Sequence, residues 1–162
     1  MFIVVLVLHL NLAAQTKKET VDWINSKMPT NPIVYGEYFK SSQKMKINDD
    51  GSFEIINSDY ELPIHIKNPK AETVTTLKGN FKDLTPTSVT VRIQKGLVFI
   101  DINCSNGKEC IATSQTGKSG AIYDKKGITF GAFYASETNI AERLKKAFTR
   151  LIILCGGKKE AY

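Results

Sequence analysis

Histidine is almost absent from this sequence: the chain holds only His9 and His65. His9 lies in an apolar leader, so a hydrolase of the Ser-His-Asp kind would have to use His65. No G-x-S-x-G string is present to hold a nucleophilic serine at a strand-to-helix elbow. There are three cysteines and no cluster of His, Cys, Asp and Glu at metal-ligand spacing. No run of about 20 apolar residues occurs, so nothing in the sequence reads as a transmembrane helix. Repeats, low-complexity segments and linkers are missing as well. Two strings mimic motifs without meeting their requirements. Thr116-Gly117-Lys118-Ser119 ends like a P-loop, but Ala112 stands where the first glycine is needed. Asn48-Asp49-Asp50-Gly51 resembles a calcium loop, but Lys46 and Asn57 occupy positions that require carboxylates. Both strings read as turns.

What is present describes one ordinary globular domain of 162 residues, 42% hydrophobic and 23% charged. A chain of this length buries roughly 70% of its unfolded surface and needs no metal to hold it together. Its 22 basic and 16 acidic residues give a formal charge of +6. The charges are interspersed, and no nucleic-acid partner is expected. The densest basic stretch is the end of the chain, with Arg143, Lys145, Lys146, Arg150, Lys158 and Lys159. It reads first as a solvated helix face with a favourable charge near the C-terminus. The sharper reading is a contact patch for an anionic surface, carried by Arg143, Lys146, Arg150, Lys158 and Lys159.

Residues 1–15 carry no Lys, Arg, Asp or Glu. An apolar run is followed by Leu12-Ala13-Ala14-Gln15 and then by polar residues, the pattern of a signal peptide and its cleavage region. The positively charged start of such a segment is missing. The expectation is an exported protein, periplasmic or extracellular, whose mature domain covers residues 16–162. No Cys sits at the cleavage region to accept a lipid.

Thr16 and Glu19 have the spacing of a capping box, and Val21, Ile24 and Met28 follow at helical steps. This predicts a short helix from about residue 17 to about 28, stopped by Pro29, with Trp23 packed on a sheet. From about residue 33 to about 134 the period changes to two. Ile33, Tyr35 and Phe39 share a face of a first strand, and Met45, Ile47, Phe53 and Ile55 flank a turn at Gly51. Leu62, Ile64 and Ile66 alternate in a strand kept at an edge by Pro63. Val89, Val91 and Ile93 form another face, the apolar run 97–102 suits a central strand, and Ile128, Phe130 and Tyr134 follow a turn at Asp124. Ser136 caps a last helix, whose stripe is Ile140, Leu144, Ala147, Phe148, Leu151 and Cys155, ended by Gly156-Gly157. The fold class is α+β: a short N-terminal helix, an antiparallel β-barrel or sandwich of seven or more strands, and a long amphipathic C-terminal helix.

The segment Cys104-Ser-Asn-Gly-Lys-Glu-Cys110 is the most informative local feature. Asn106-Gly107 is a turn signal placed midway between the cysteines, and a disulfide across a hairpin is the first reading. Two free thiols, or a metal or redox pair, are the alternatives. Cys155 reads as a buried, inert thiol, and Asp101 faces solvent by alternation with Ile100 and Ile102.

Residues 86–157, with Pro86-Thr-Ser-Val-Thr-Val, the Cys104 to Cys110 loop, Ile128-Thr-Phe, Ala141-Glu-Arg-Leu-Lys-Lys-Ala147-Phe and Cys155-Gly-Gly, resemble small exported bacterial proteins of unknown function. The strand order with a closing helix is similar to a pleckstrin-homology-like barrel. The resemblance implies a fold and no activity. The functional reading is an exported, non-enzymatic binding or interaction domain without a cofactor, whose partner is a protein or an anionic surface. One alternative is a small carboxylate-dependent hydrolase using Asp101 or Glu109. The other is electrostatic attachment through the basic last helix.

Overall fold

Thr16 opens the first helix by the reciprocal cap its spacing predicts. Its hydroxyl accepts from Glu19 N at 3.2 Å, and Glu19 Oε2 accepts from Thr16 N at 2.7 Å. Helix α1 spans Lys17–Ser26 and buries Thr20 and Ile24. It ends two residues short of the expected end. The structure, a computed structural model, describes residues 16–29, 33–35, 39–61, 73–117 and 125–158. The expectations for residues 1–15, the strand around Pro63, His65, Asp124 and Lys159 lie outside these residues.

Among the described residues eight strands follow α1: β1 (Ile33–Tyr35), β2 (Phe39–Ile47), β3 (Ser52–Glu61), β4 (Thr73–Asn80), β5 (Thr90–Gln94), β6 (Leu97–Asn103), β7 (Ala112–Gly117) and β8 (Gly127–Tyr134). They form two antiparallel sheets, one of five strands in the order β1-β2-β3-β4-β7 and one of three in the order β5-β6-β8. Ile33 and Phe39 belong to two paired strands, with Tyr35 opposite Phe39, and not to one. The β2–β3 hairpin pairs Ile47 with Phe53 across the turn, where Gly51 takes a φ of 83°. The residue type suits that left-handed position. Strand β4 has no counterpart in the sequence reading. Its residues are β-branched but mostly polar, Thr73, Val74, Thr75 and Thr76, so the apolar alternation that betrays a strand is missing. As expected, β6 is the central strand of its sheet, with Val98, Ile100 and Ile102 buried.

A bulge in β8 shapes the core. Val98 pairs with Phe133 and Ile100 with Phe130, so two residues of β8 face Phe99. The extra residue lets Phe130 and Phe133, three apart, both point inward. Gly131 sits at this bulge, where a Cβ would stand 2.4 Å from the Phe99 ring. Its N–H donates to Gln43 Oε1 of β2 at 3.1 Å, a link between the two sheets.

Helix α2 spans Ile140–Leu154 and buries Ile140, Leu144, Phe148, Leu151 and Ile152. Phe148 lies 4.7 Å from Phe130 and 6.1 Å from Phe133, ring to ring. Phe53 of β3 and Phe81 complete the cluster, with Phe53 5.4 Å from Phe130. The helix starts three residues later than a cap at Ser136 would have it. Asn139 occupies the N-cap with a φ of 59°, because Glu137 is held in the preceding turn by Lys27 and Arg143. The C-terminal stop is as expected: Gly156 has a φ of 92°, its N–H donates to Ile153 O at 3.0 Å, and Gly157 N donates to Ile152 O at 2.9 Å. Trp23 is half-buried against this helix and not against a sheet. The Arg143 guanidinium lies 5.1 Å and Lys27 Nζ 5.8 Å from its ring centre.

Candidate functional site

Opposite its buried stripe, α2 turns Glu142, Lys145, Lys146, Thr149, Arg150, Ile153 and Leu154 outward. These residues line a shallow surface depression of about 540 Å³. At steps of three and four they fall on one helix face, about 18 Å long at 1.5 Å per residue. Ile153 is 49% exposed and Leu154 42%, two of the four large apolar side chains most open to solvent among the described residues. Apolar side chains of this size are not placed outward by the core's demands, since Leu151 and Ile152 already fill the helix's inner face. The depression therefore combines apolar tips with a row of cations.

The structure divides the expected anion contacts. Lys146 and Arg150 lie on this face, joined by Lys145. Arg143 is engaged elsewhere, since its Nη1 donates to Glu137 Oε2 at 3.3 Å and its charge rests on Trp23. Lys158 is exposed past the end of α2. Ile153 and Leu154 were missed from the sequence as site residues. Their signal was present: they continue the outward face of a helix whose inner stripe was already filled.

A second concavity of about 340 Å³ lies between the sheets, lined by residues including Asn57, Leu77, Asp101, Asn103, Lys125 and Thr129. Asp101 is half-buried there. Its Oδ1 accepts from Thr129 Oγ1 at 2.6 Å and its Oδ2 from Arg92 Nε at 3.4 Å. The outward placement expected from alternation is found, and the carboxylate is paired with the Arg92 guanidinium and accepts from the Thr129 hydroxyl. Glu109 is exposed and does not line this cleft. The two carboxylates of the hydrolase alternative are therefore not brought into one cavity. Among the described residues no group of three or more His, Cys, Asp and Glu is arranged to hold a metal ion.

Cys104 and Cys110 stand at disulfide distance, with the sulfurs 2.08 Å and the Cα atoms 5.8 Å apart. The turn between them is as expected, with Asn106 and Gly107 at φ 58° and 61°. The hairpin is not. The strand before the loop, β6, lies in the three-stranded sheet, and the strand after it, β7, pairs with β4 in the other. The pair thus closes the crossover from one sheet to the next. A third concavity of about 400 Å³ beside this loop is lined by Thr85, Thr87, Ser88, Asn103, Cys104, Gly107 and Lys126. Cys155 is half-buried at the end of α2, and burial pushes its thiol pKa up, which keeps the thiol protonated and slow to react. No helix among the described residues is long and apolar enough to cross a membrane.

Set against protein-family models, curated proteins and solved structures, the chain matches none of them.

Proposed function

We propose that this chain is an exported interaction domain and not an enzyme, and that the outer face of α2 is its contact surface. The observation that carries the reading is the exposure of Ile153 and Leu154 within the row Lys145, Lys146 and Arg150. Apolar side chains gathered on a charged face mark a surface that meets something. The reading gives Asp101 and Glu109 no catalytic role, which is supported by the pairing of Asp101 with Arg92 and Thr129 and by a cleft lining that does not include Glu109. Export rests on the apolar composition of residues 1–15 and on the cysteine pair at disulfide distance, which suits an oxidising compartment. For the architecture, the reading is a pleckstrin-homology-like barrel or sandwich in which α2 covers one opening. It is supported by the contact of Phe53 with Phe130 between the sheets and by the order of eight strands followed by a helix.

The test is photo-crosslinking in cells that make the protein. A benzophenone side chain replaces Ile153 in one variant. In the other it replaces Ile93, which is 62% exposed on β5. An adduct is expected at position 153 and not at 93. A chain that gives no adduct at 153 would overturn the reading.

A further inference from the structure

We infer that the outer face of α2 docks on an anionic lipid surface; this rests on the reading of that face as the contact surface. Three observations choose the occupant. The first is charge. The outer face of α2 carries Lys145, Lys146 and Arg150 against the single carboxylate Glu142, and Lys158 lies just beyond the helix. Neither Lys145 nor Lys146 has a carboxylate within ion-pair distance among the described residues. A second copy of the chain presenting the same face would meet like charge.

The second observation is shape. Among the described residues, all that line the depression belong to α2 itself. Among the described residues no second element faces it, as one would in a groove that receives a peptide helix or strand. A shallow, open face of this kind suits a broad counterpart. The third is the position of Ile153 and Leu154 in the last turn, one helical step from Arg150. One weak signal gives only marginal membrane attachment, and stable attachment takes two. Here cations attract the headgroups and two aliphatic side chains reach the acyl boundary. The buried stripe of α2 stays in the core, so the helix docks from outside without leaving the domain.

The experiment is cosedimentation of the full chain with two kinds of vesicle, pure phosphatidylcholine and phosphatidylcholine with about a third phosphatidylglycerol. The apolar residues 1–15 are common to every variant, so the comparison is between variants. Replacing Lys145 and Lys146 together by Ala is expected to weaken binding to the anionic vesicles about 25-fold, at about fivefold per basic residue. Binding to the neutral vesicles should stay unchanged. Raising the salt to about 0.5 M should weaken the parent chain in the same way. The variant Ile153→Ser/Leu154→Ser should weaken binding to the anionic vesicles as well. The circular dichroism and melting midpoint of each variant establish that it is folded. Equal affinity of the parent and Lys145→Ala/Lys146→Ala for anionic vesicles would sink the inference. So would tighter binding to soluble poly-glutamate than to the vesicles. The lipid and the contact surface are tested separately. A polypeptide adduct at position 153 with no charge-dependent vesicle binding removes the lipid and leaves the surface. No adduct and no vesicle binding remove both.

Discussion

Glu137 shows what single residues do in this fold. Its carboxylate accepts from Lys27 Nζ at 2.6 Å and from Arg143 Nη1 at 3.3 Å, and both cations lie against Trp23. Hydrogen bonding to Lys27 is the main cause that holds its pKa below the usual glutamate value, with the charges of Lys27 and Arg143 assisting. A carboxyl depressed in the folded state adds stability above its ordinary pKa, and the addition is lost as pH falls through the folded value. Trp23 is the only tryptophan and reports the node directly. Its fluorescence should stay flat from neutral pH down through the ordinary glutamate range and change only below it. Glu137→Gln should show the acid spectrum already at neutral pH. A transition at the ordinary glutamate pKa, or an unchanged Gln variant, would contradict the node. Each of these residues was visible in the sequence, but their meeting was not, because Lys27 and Glu137 are 110 positions apart. Local spacing exposes a capping box such as Thr16 with Glu19; it cannot expose a contact made by the tertiary fold.

At the scale of elements, α2 was the most legible and β4 the least. The stripe Ile140, Leu144, Phe148 and Leu151 is fully inward, because a 15-residue helix with one apolar face has only one way to lie on a sheet. Its start was misplaced because Ser136 and Glu137 have the chemistry of a cap but serve the turn and the Trp23 node. Strand β4 was lost because Leu77 is its one buried apolar residue, its first half being Thr73, Val74, Thr75 and Thr76, and its pairing with β3 and β7 comes from its neighbours. The contrast between the faces of α2 makes a stability prediction. Phe148 has no exposed surface and touches Phe81, Phe130 and Phe133. Phe148→Ala should cost about 3–5 kcal/mol, a large share of the roughly 5–15 kcal/mol available to a domain. Lys146→Ala should change stability by less than about 0.5 kcal/mol. Chemical denaturation of the two variants measures both. A stable Phe148→Ala would mean that α2 is not packed on the core.

At the scale of the molecule, the pair Cys104 and Cys110 belongs to neither sheet but to the passage between them. A ring this small constrains the unfolded chain by about 2 kcal/mol in the chain-entropy description. The Cys104→Ala/Cys110→Ala variant should lose about that much stability, and the unreduced parent, once denatured, should expose one alkylatable thiol, Cys155. Three reactive thiols in freshly isolated protein would refute the pairing. The cysteine spacing was legible, but the sheet assignment of the flanking strands was not, since Asn106-Gly107 makes the same local turn in a hairpin or in a crossover. The crossover has a further consequence, in the order of events during folding. The chain lays down β1 to β4, begins the second sheet with β5 and β6, returns to the first with β7, and goes back for β8. Neither sheet occupies an unbroken stretch of chain, so neither can be finished before the other has been started. Every late pairing closes a long loop, which places the domain among slow, topologically non-local folders. It should also leave no fragment, cut at any loop, that folds alone.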